Sequence, residues 1–524
     1  MTGDTGPSEA PRFATACVAT PHYLASHTGA AVLRNGGNAV DAAIAANLVL
    51  GVVAPYTCGI GGDCFAIVWD GDALHGYNGS GRAPAAATPD AVAGRLGRAS
   101  SGAAVMPRSG PLSITVPGAV DAWFALLDRF GSRSFAELAE PAIAYATGGF
   151  PLTAAGAARI QAGRPAGPGW GEWEDIYGRA RAGLRLSQPG LALTLQTVAT
   201  GGPDAFYRGV VAEAVAAHLE QLGGLLDGAD LAVHEGEWVE PLEGRYRDVT
   251  VAELPPNSQG SAALLALHLL DQAGPLPPDG PERQAVLIGA VAAALAERDA
   301  HLTDPARMRV PPGMLADPAH AEAIAAAGSA PVVGGARGGG GDTAYLCAVD
   351  GSGLCVSLIQ SNYSGFGSGV TVPGWGINLH NRGAYFSLDE AHVNAIAPGK
   401  RTLHTLMPAF ARRHGRPWLV FGAMGADGQL QTQVQLLAQL VDDAADPGVA
   451  VAAPRWLVDP GDFSVRIESR FPTTVVDGLR RAGHRVETLG PYEDVMGHAH
   501  LIRLDEEGPV AASDPRCEGL AAGF

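Results

Sequence analysis

One threonine stands at the boundary between two very different kinds of sequence. Four consecutive glycines, Gly338 to Gly341, are followed directly by Asp342 and Thr343. A glycine run has high backbone entropy and is difficult to place in regular structure. The residues that come next, Tyr345 to Val349, form an apolar, β-prone run typical of a buried strand. Thr343 is therefore predicted to begin a core strand directly after a flexible linker.

This position suits a nucleophile that is released by cleavage of its own chain. If the bond between Asp342 and Thr343 is cut, the hydroxyl and a new α-amine belong to the same residue. An α-amine has a pKa of about 7.7–8.0 and accepts the hydroxyl proton near neutral pH, so no separate histidine base is needed. Composition alone leaves the alternative open, a surface linker with an incidental threonine.

The elements that have to position Thr343 show as apolar patterns. A hairpin is predicted from the runs 345–349 and 354–360, joined by the turn Asp350 to Gly353. A helix is predicted to begin near Asn38, with Asp41 in its first turn. Other predicted elements are strands at 14–19, 64–69 and 418–421, helices at 120–130 and 430–441, a turn at 422–428 and a mainly helical stretch from 150 to 320.

Composition and charge limit the classes of function. The 524 residues are 47% hydrophobic, which is ample for a large core, and the net charge is -18. An acidic chain is a poor ligand for nucleic acid or for an anionic membrane surface. Neither a secretory signal nor a membrane-spanning run is visible, so the sequence predicts a cytoplasmic protein. The six cysteines form no Cys-x-x-Cys pair and are interpreted as reduced core residues.

Other catalytic patterns fit the sequence poorly. A serine hydrolase of another fold would show Gly-x-Ser-x-Gly, which is absent. Dinucleotide binding needs a glycine motif between a strand and a helix, whereas Gly338 to Gly341 precede a strand. His498 and His500 form a lone His-x-His pair, which is interpreted as structural rather than as a metal site.

Four long segments, in order, resemble the γ-glutamyltransferase (γ-glutamyltranspeptidase) family from about Ala14 to Phe524. They are VATPHYLASHTGAAVLRNGGNAVDAAIAANLVLGVVAPYTCGIGGDCFAIVWDG, then LSITVPGAVDAWFALLDRFG, then DTAYLCAVDGSGLCVSLIQSNYSGFGSG, and finally APGKRTLHTLMPAF through FGAMGADGQLQ to APRW. The resemblance implies an α+β fold, the four-layer αββα sandwich of N-terminal-nucleophile hydrolases. It also implies a proenzyme that cuts itself and needs no metal or organic cofactor.

The resemblance assigns chain boundaries and catalytic residues. It implies a large subunit, residues 1–342, with a leader at 1–12 and a Gly-rich linker at 328–342. The small subunit is residues 343–524, and both subunits form one domain. Thr343 matches the nucleophile, and Ser361 stands where the family has a threonine that touches the nucleophile's amine. Gly425 and Ala426 match the backbone oxyanion turn, which needs N–H groups rather than particular side chains.

The residues that match the family's substrate pocket differ from its usual pattern. Ser80 replaces an arginine that binds the substrate carboxylate, and Arg82 nearby either reaches the same anion or pairs with a structural acid. Tyr385 replaces an acid that binds the substrate amine. The other candidate substrate-binding residues are Asn362 and Tyr363 at a family asparagine, Arg382 at a family glutamine, and His404 and Thr405 at two family serines.

These changes remove an anchor for an ammonium group and add cationic or aromatic groups. They resemble the branch of the family that contains oxamate amidohydrolase and cytosolic γ-glutamyltransferase-like proteins. The expected activity is hydrolysis, in preference to transpeptidation, of a γ-glutamyl or related carboxy-acyl amide. An oxamate-type amidase, a glutaryl or cephalosporin-type acylase, a natural-product hydrolase and an uncleaved binding protein are the alternatives. The expected partners are a small-molecule substrate, the two subunits of one precursor and a second copy of the processed pair, with no nucleic acid and no membrane.

Overall fold

The structure is a computed structural model that describes residues 9–97, 105–165, 171–327 and 342–524. The first eight residues of the predicted leader, and the predicted linker up to residue 341, lie outside the described residues. The strands are β1 (Cys17–Thr20), β2 (Asp63–Trp69), β3 (Leu74–Asn78), β4 (Phe150–Pro151), β5 (Arg185–Leu186), β6 (Glu237–Val239), β7 (Leu242–Tyr246), β8 (Val249–Glu253), β9 (Asp342–Val349), β10 (Cys355–Tyr363), β11 (Thr371–Val372), β12 (Ile377–Asn378), β13 (Ala409–Arg413), β14 (Arg416–Ala423), β15 (Trp456–Val458), β16 (Val465–Glu468), β17 (Val486–Leu489), β18 (Ala499–Asp505), β19 (Gly508–Ser513) and β20 (Leu520–Gly523).

The helices cover much of the rest of the described chain. They are α1 (Tyr23–Arg34), α2 (Ala39–Val53), α3 (Pro89–Arg95), α4 (Ala119–Phe130), α5 (Phe135–Gly148), α6 (Ala154–Ala162), α7 (Trp173–Tyr177), α8 (Pro189–Tyr207), α9 (Val210–Gln221), α10 (Gly228–Ala232), α11 (Gly260–Gln272), α12 (Pro281–His301), α13 (Pro318–Ala327), α14 (Gly428–Leu437), α15 (Pro447–Ala452) and α16 (Thr473–Arg481). A π-helical turn, Ala438–Asp442, continues α14.

Two antiparallel sheets form the centre of the molecule. One has the strand order β20-β1-β9-β10-β2-β3-β6, and the other has the order β19-β18-β14-β13-β8-β7. Helices α2, α4 and α5 lie on the outer side of the first sheet, and α11, α12 and α14 lie on the outer side of the second. The predicted four-layer αββα sandwich is therefore confirmed.

The alternation of side chains along β9 explains why both of its faces are apolar. Tyr345 and Cys347 pack between the two sheets, whereas Ala344 and Leu346 pack against the outer helical layer. A strand that is buried on both faces is apolar throughout rather than alternately polar. By the same period of two, the side chain of Thr343 enters the space between the sheets.

The hairpin and the helix nearest to it agree with the sequence predictions. Strands β9 and β10 pair on either side of the predicted turn, in which Gly353 has a φ of 88°. Helix α2 begins after Asn38, whose side chain accepts the N–H of Asp41 while Asp41 accepts the N–H of Asn38. This reciprocal capping box fixes the start of a helix that packs on β9 and β10.

One sequence prediction needs correction. The stretch from 150 to 320, predicted to be mainly helical, contains the helices α6 to α12 but also the short strands β4 to β8. Strand β7 lies at the edge of its sheet and reads LEGRY, with exposed charged residues between buried ones. Edge strands carry such charges because one side of their ladder faces water. Among the described helices, none is long and apolar enough to cross a membrane.

Candidate active site

Thr343 lies at the second position of β9 and is 2% exposed. Its hydroxyl donates a hydrogen bond to Oγ of Ser361 at 3.0 Å. Ser361 in turn donates to the carbonyl oxygen of Asp342 at 2.9 Å. One hydroxyl group therefore touches both the candidate nucleophile and the carbonyl group of the peptide bond before it.

A β-bulge places Ser361 in this position. Gln360 pairs with Ala344 and Tyr363 pairs with Asp342, so two residues of β10 lie opposite the single residue Thr343. Tyr363 has a φ of 78°, and its N–H donates to Ser361 Oγ at 2.7 Å. Bulges redirect side chains at the ends of strands, and this one directs the serine hydroxyl toward the start of β9.

The side chain of Asp342 occupies a separate polar environment. Its Oδ2 accepts the N–H of Gly365 at 3.0 Å, beside a cavity of 340 Å³ that is also lined by Arg159 and Asp494. Burial, together with the negative charge of Asp494, raises the pKa of the Asp342 carboxyl to about 6. This carboxyl is therefore held near the point at which it changes charge in mildly acidic solution.

The predicted oxyanion turn follows β14. Gly425 and Ala426 have φ values of 135° and 49°, and Gly428 donates its N–H to the carbonyl of Gly425 at 2.7 Å. Gln259 Nε2 donates to the carbonyl of Ala426 at 3.1 Å. Both carbonyl groups are thus engaged, whereas neither backbone N–H donates to an acceptor within the described ranges. Such N–H groups are suited to stabilise a developing negative charge.

A buried guanidinium group lies in the same region. Arg382 is 1% exposed, its Nη1 donates to Oγ1 of Thr405 at 3.1 Å, and its carbon Cζ lies 4.5 Å from the centre of the Tyr363 ring. Its Nε and Nη2 have no hydrogen-bond partner among the residues that the structure describes. Burial lowers the pKa of Arg382, as expected for a cation removed from water. Two open N–H donors on a buried cation are suited to bind an anion.

A chain of contacts joins the predicted oxyanion turn to the candidate nucleophile. The Tyr363 and Tyr385 rings lie 5.2 Å apart, and the hydroxyl of Tyr385 donates to Asp427 Oδ1 at 2.5 Å. Asp427 directly follows Ala426 and also pairs with Arg298 at 2.7 Å. The turn, the two tyrosines and the bulge at Ser361 are therefore parts of one connected structure.

Asp63 lies in the first of the family-like segments, but the sequence predicted no role for it. Asp63 pairs with Ser361 across the sheet, and its Oδ2 lies 3.0 Å from Nε2 of His404. His404 packs on Phe65 and is fully buried, and its burial lowers its pKa to about 3. One feature of the sequence could have identified Asp63 as a candidate: it is an ionisable residue at the first position of a strand that is otherwise apolar.

Two predicted pocket residues lie apart from this cluster. The Arg82 side chain is 46% exposed and pairs with Asp304 at 3.4 Å. This contact matches the alternative in which Arg82 pairs with a structural acid. Asn362 faces the opposite side of β10, where its Oδ1 lies 2.7 Å from the position that a Cβ on Gly62 would occupy. Their roles in substrate binding stay predictions.

Together, the αββα sandwich and a threonine at the start of an inner strand define the class of N-terminal-nucleophile hydrolases. Comparison with known proteins agrees. The profile of the family described as Gamma-glutamyltranspeptidase matches residues 25–524. The chain is 39% identical to a glutathione hydrolase-like proenzyme of Bacillus subtilis, over 97% of this chain and 98% of that protein.

Other relatives are similar over almost the whole chain. An oxamate amidohydrolase proenzyme of Klebsiella pneumoniae is 38% identical, over 96% of this chain and 97% of that protein. The crystal structure of a cephalosporin acylase from Bacillus halodurans superposes with a TM-score of 0.92 at 36% identity, over 100% of this chain and 99% of the other. The chain belongs to the γ-glutamyltranspeptidase family, and it is an autoprocessed amidohydrolase.

Proposed function

We propose that the chain cuts itself between Asp342 and Thr343, and that Thr343 then hydrolyses amides of small acyl groups that carry a carboxylate and no amine. The main support is the arrangement in which Ser361 contacts both the Thr343 hydroxyl and the Asp342 carbonyl, with the open donors of Arg382 nearby. The products of the cut are residues 1–342 and 343–524.

In the self-cleavage reaction, Oγ of Thr343 attacks the carbonyl carbon of Asp342. The hydroxyl proton passes to the peptide nitrogen, the C–N bond breaks, and an ester joins the carbonyl carbon of Asp342 to Oγ. Water hydrolyses this ester and leaves a carboxylate on Asp342 and a free amine on Thr343. The hydrogen bond from Ser361 to the Asp342 carbonyl polarises that carbonyl for attack.

In turnover, the free α-amine of Thr343 takes the hydroxyl proton while Oγ attacks the substrate carbonyl. The N–H groups of Gly425 and Ala426 stabilise the negative oxygen, and Ser361 orients the amine. The amine then gives the proton to the leaving nitrogen as the C–N bond breaks. Water repeats the sequence on the acyl ester and releases the acid, with water rather than a second amine as the preferred acceptor.

The proposed substrate class follows from the charges around Arg382 and Tyr385. Arg382 offers two N–H donors to a carboxylate, and Tyr363 and Thr405 fix its orientation. Tyr385 supplies no negative charge for an ammonium group, and the adjacent Asp427 is already paired with Arg298. The relative named oxamate amidohydrolase, by its name, acts on the amide of a small carboxylate.

A matched set of primary amides tests this proposal by release of ammonia. Glutaramate carries the carboxylate alone, L-glutamine adds the α-amine, pentanamide lacks both groups, and oxamate and succinamate vary the chain length. We expect the best amine-free acid amide to exceed both L-glutamine and pentanamide by about tenfold or more in kcat/KM. Turnover of L-glutamine or pentanamide at an equal rate would contradict the proposed substrate class.

Cytoplasmic location and a dimer of the processed pair stay predictions from sequence. Fractionation of cells that express the tagged chain tests the first, and light scattering on the purified processed protein tests the second.

A further inference from the structure

The carboxylate of Asp63 lies beside the proposed site, although the reaction steps above do not use it. Asp63 is 0% exposed and stands directly opposite Ser361 in the antiparallel pair of β2 and β10. Opposite residues in such a pair project from the same face, with Cβ atoms about 4.5–5.5 Å apart. Asp63 therefore shares the space between the sheets with Ser361 and Thr343.

Three hydrogen bonds hold this carboxylate in one orientation, and a second histidine lies close to it. Oδ1 accepts the N–H groups of Gly81 and Gly118, each at 3.2 Å. Oδ2 lies 3.0 Å from His404 Nε2 and 3.5 Å from His380 Nδ1. Burial opposes ionisation of the acid, but its interactions with His380 and His404 hold the pKa of Asp63 well below its usual range. The group is thus a fixed negative charge.

The hydrogen bonds of His404 determine which of its nitrogens carries the proton. Nδ1 accepts the N–H of Leu406 at 3.2 Å, so Nε2 carries the hydrogen and donates it to Asp63. The next residue is Thr405, and its Oγ1 accepts the hydrogen bond from Arg382. Asp63 thereby fixes His404, and His404 fixes the segment that orients Arg382.

Asp63 also influences Arg382 through its charge. Burial lowers the pKa of Arg382, and the negative charge of Asp63 is the largest of the effects that oppose this change. A buried cation needs a counter-charge, and a carboxylate bonded directly to it would occupy its donors. Asp63 is bonded to His404 instead, so it supplies charge while Nε and Nη2 of Arg382 stay open.

We propose that Asp63 is a positioning residue that, through His404 and Thr405, holds Arg382 charged and with open donors, so that the site selects acyl groups carrying a carboxylate. This proposal rests on the proposed function, because it assigns Arg382 to the substrate carboxylate. It adds a requirement for a buried carboxylate that never touches the substrate.

The change Asp63→Asn provides the test. The amide oxygen still accepts from Gly81 and Gly118, but the amide nitrogen meets the N–H of His404, and the counter-charge is lost. We expect the variant to cut itself normally. Its kcat/KM for glutaramate should fall about 10–100-fold, mainly through KM, while that for pentanamide changes less than about threefold. A merely structural role would lower both values together.

Two substitutions of His404 form a matched pair, and they test the proposed role of Asp63 even if Asp63→Asn does not fold. Glutamine places its Nε2 near the position of the histidine Nε2 and still donates to Asp63, whereas asparagine is too short to do so. We expect His404→Gln to keep the preference for glutaramate over pentanamide and His404→Asn to lose it. Equal preference in the two variants would overturn the proposal.

The outcomes separate this proposal from the proposed function. A wild-type chain that stays uncut, or that prefers none of glutaramate, succinamate and oxamate over L-glutamine and pentanamide, contradicts the proposed function. A wild-type preference that survives Asp63→Asn contradicts only the role of Asp63. A folded Asp63→Asn chain that stays uncut also counts against it, because it would place Asp63 in the self-cleavage reaction.

Discussion

At the scale of single residues, one serine contacts both groups that would react in the proposed self-cleavage. Ser361 bonds to the Thr343 hydroxyl and to the Asp342 carbonyl in the uncut chain. After the proposed cut, we expect the same hydroxyl to lie beside the new α-amine of Thr343. We therefore expect this position to need a hydroxyl group, whether serine or threonine carries it.

Replacement of Ser361 tests this demand. We expect Ser361→Ala to lower kcat/KM by about 10²–10³-fold, because the amine of Thr343 loses the group that orients it as a base. Ser361→Thr keeps the hydroxyl and should stay within about fivefold of the wild type. Steady-state kinetics on processed protein measure both. An alanine variant as active as the threonine variant would remove Ser361 from the mechanism.

The carboxyl of Asp342 predicts a dependence of stability on pH in the uncut chain. Its pKa is about 6 in the folded protein and 3.8 in the reference state, so the folded state binds the extra proton between these values. The free energy of unfolding contributed by this group therefore falls as pH rises from about 4 to about 6.

Thermal melts of uncut Thr343→Ala with and without Asp342→Asn measure this effect. At each pH, the Tm of the double variant is compared with that of Thr343→Ala alone. We expect the gain in Tm from Asp342→Asn to be larger at pH 7 than at pH 4 by on the order of 2 °C. Identical pH profiles would mean that the carboxyl ionises as it does in water.

Sequence patterns mark the candidate reactive residues more clearly than they mark the contacts around them. Thr343 and Ser361 are marked by their places in a glycine–strand boundary and a family motif. Two contacts join segments that are far apart in the chain: Arg82 pairs with Asp304, and Asp63 pairs with His404. Such contacts follow from tertiary packing, which local patterns do not encode.

At the scale of elements, the site depends on how closely the two sheets approach. Gly422 of β14 lies against the ring of Tyr345 on β9, where a Cβ atom would overlap the ring. The oxyanion turn follows Gly422 by three residues, and Thr343 precedes Tyr345 by two. Close packing at this contact therefore sets the spacing between the nucleophile and the turn.

The change Gly422→Ala tests this spacing. Overpacking should lower the free energy of unfolding by about 2 kcal/mol and should lower kcat/KM as the turn shifts away from Thr343. The control is Gly289→Ala on an exposed face of α12, where a Cβ meets open space. This control should stabilise the chain by about 0.5–1 kcal/mol. Urea titrations of both changes in the Thr343→Ala background compare them directly, and equal effects would contradict the argument.

The elements themselves were predicted where their periodicity is strong. The runs 345–349 and 354–360 became β9 and β10, which extend further toward the site than the apolar residues alone indicated. The extension consists of Asp342, Thr343, Ala344, Ser361, Asn362 and Tyr363, and all of these except Ala344 carry polar groups that a hydrophobic pattern omits. The short strands β6 and β7, which carry charged residues, were missed for the same reason.

At the scale of the whole molecule, the two proposed subunits are interleaved. In the first sheet, β1 of residues 1–342 lies between β20 and β9 of residues 343–524, and β10 pairs with β2. In the second sheet, β13 pairs with β8. Separation of the subunits would break ladders in both sheets and expose the core between them.

Interleaving predicts that the cut leaves one compact particle. We expect both pieces to co-elute in size-exclusion chromatography under native conditions and to separate only in denaturant. Native elution of two separate species would show that the cut disrupts the sheets.

The measurement that tests the central claim most directly is the intact mass of the purified protein under denaturing conditions, with N-terminal sequencing of each piece. Scaling 53.5 kDa by residue number predicts pieces of about 35 and about 19 kDa, the smaller beginning Thr-Ala-Tyr-Leu, and a single uncut chain for Thr343→Ala. A wild-type chain that stays at 53.5 kDa, or a Thr343→Ala chain that is still cut at this bond, would contradict the assignment of Thr343 as the nucleophile.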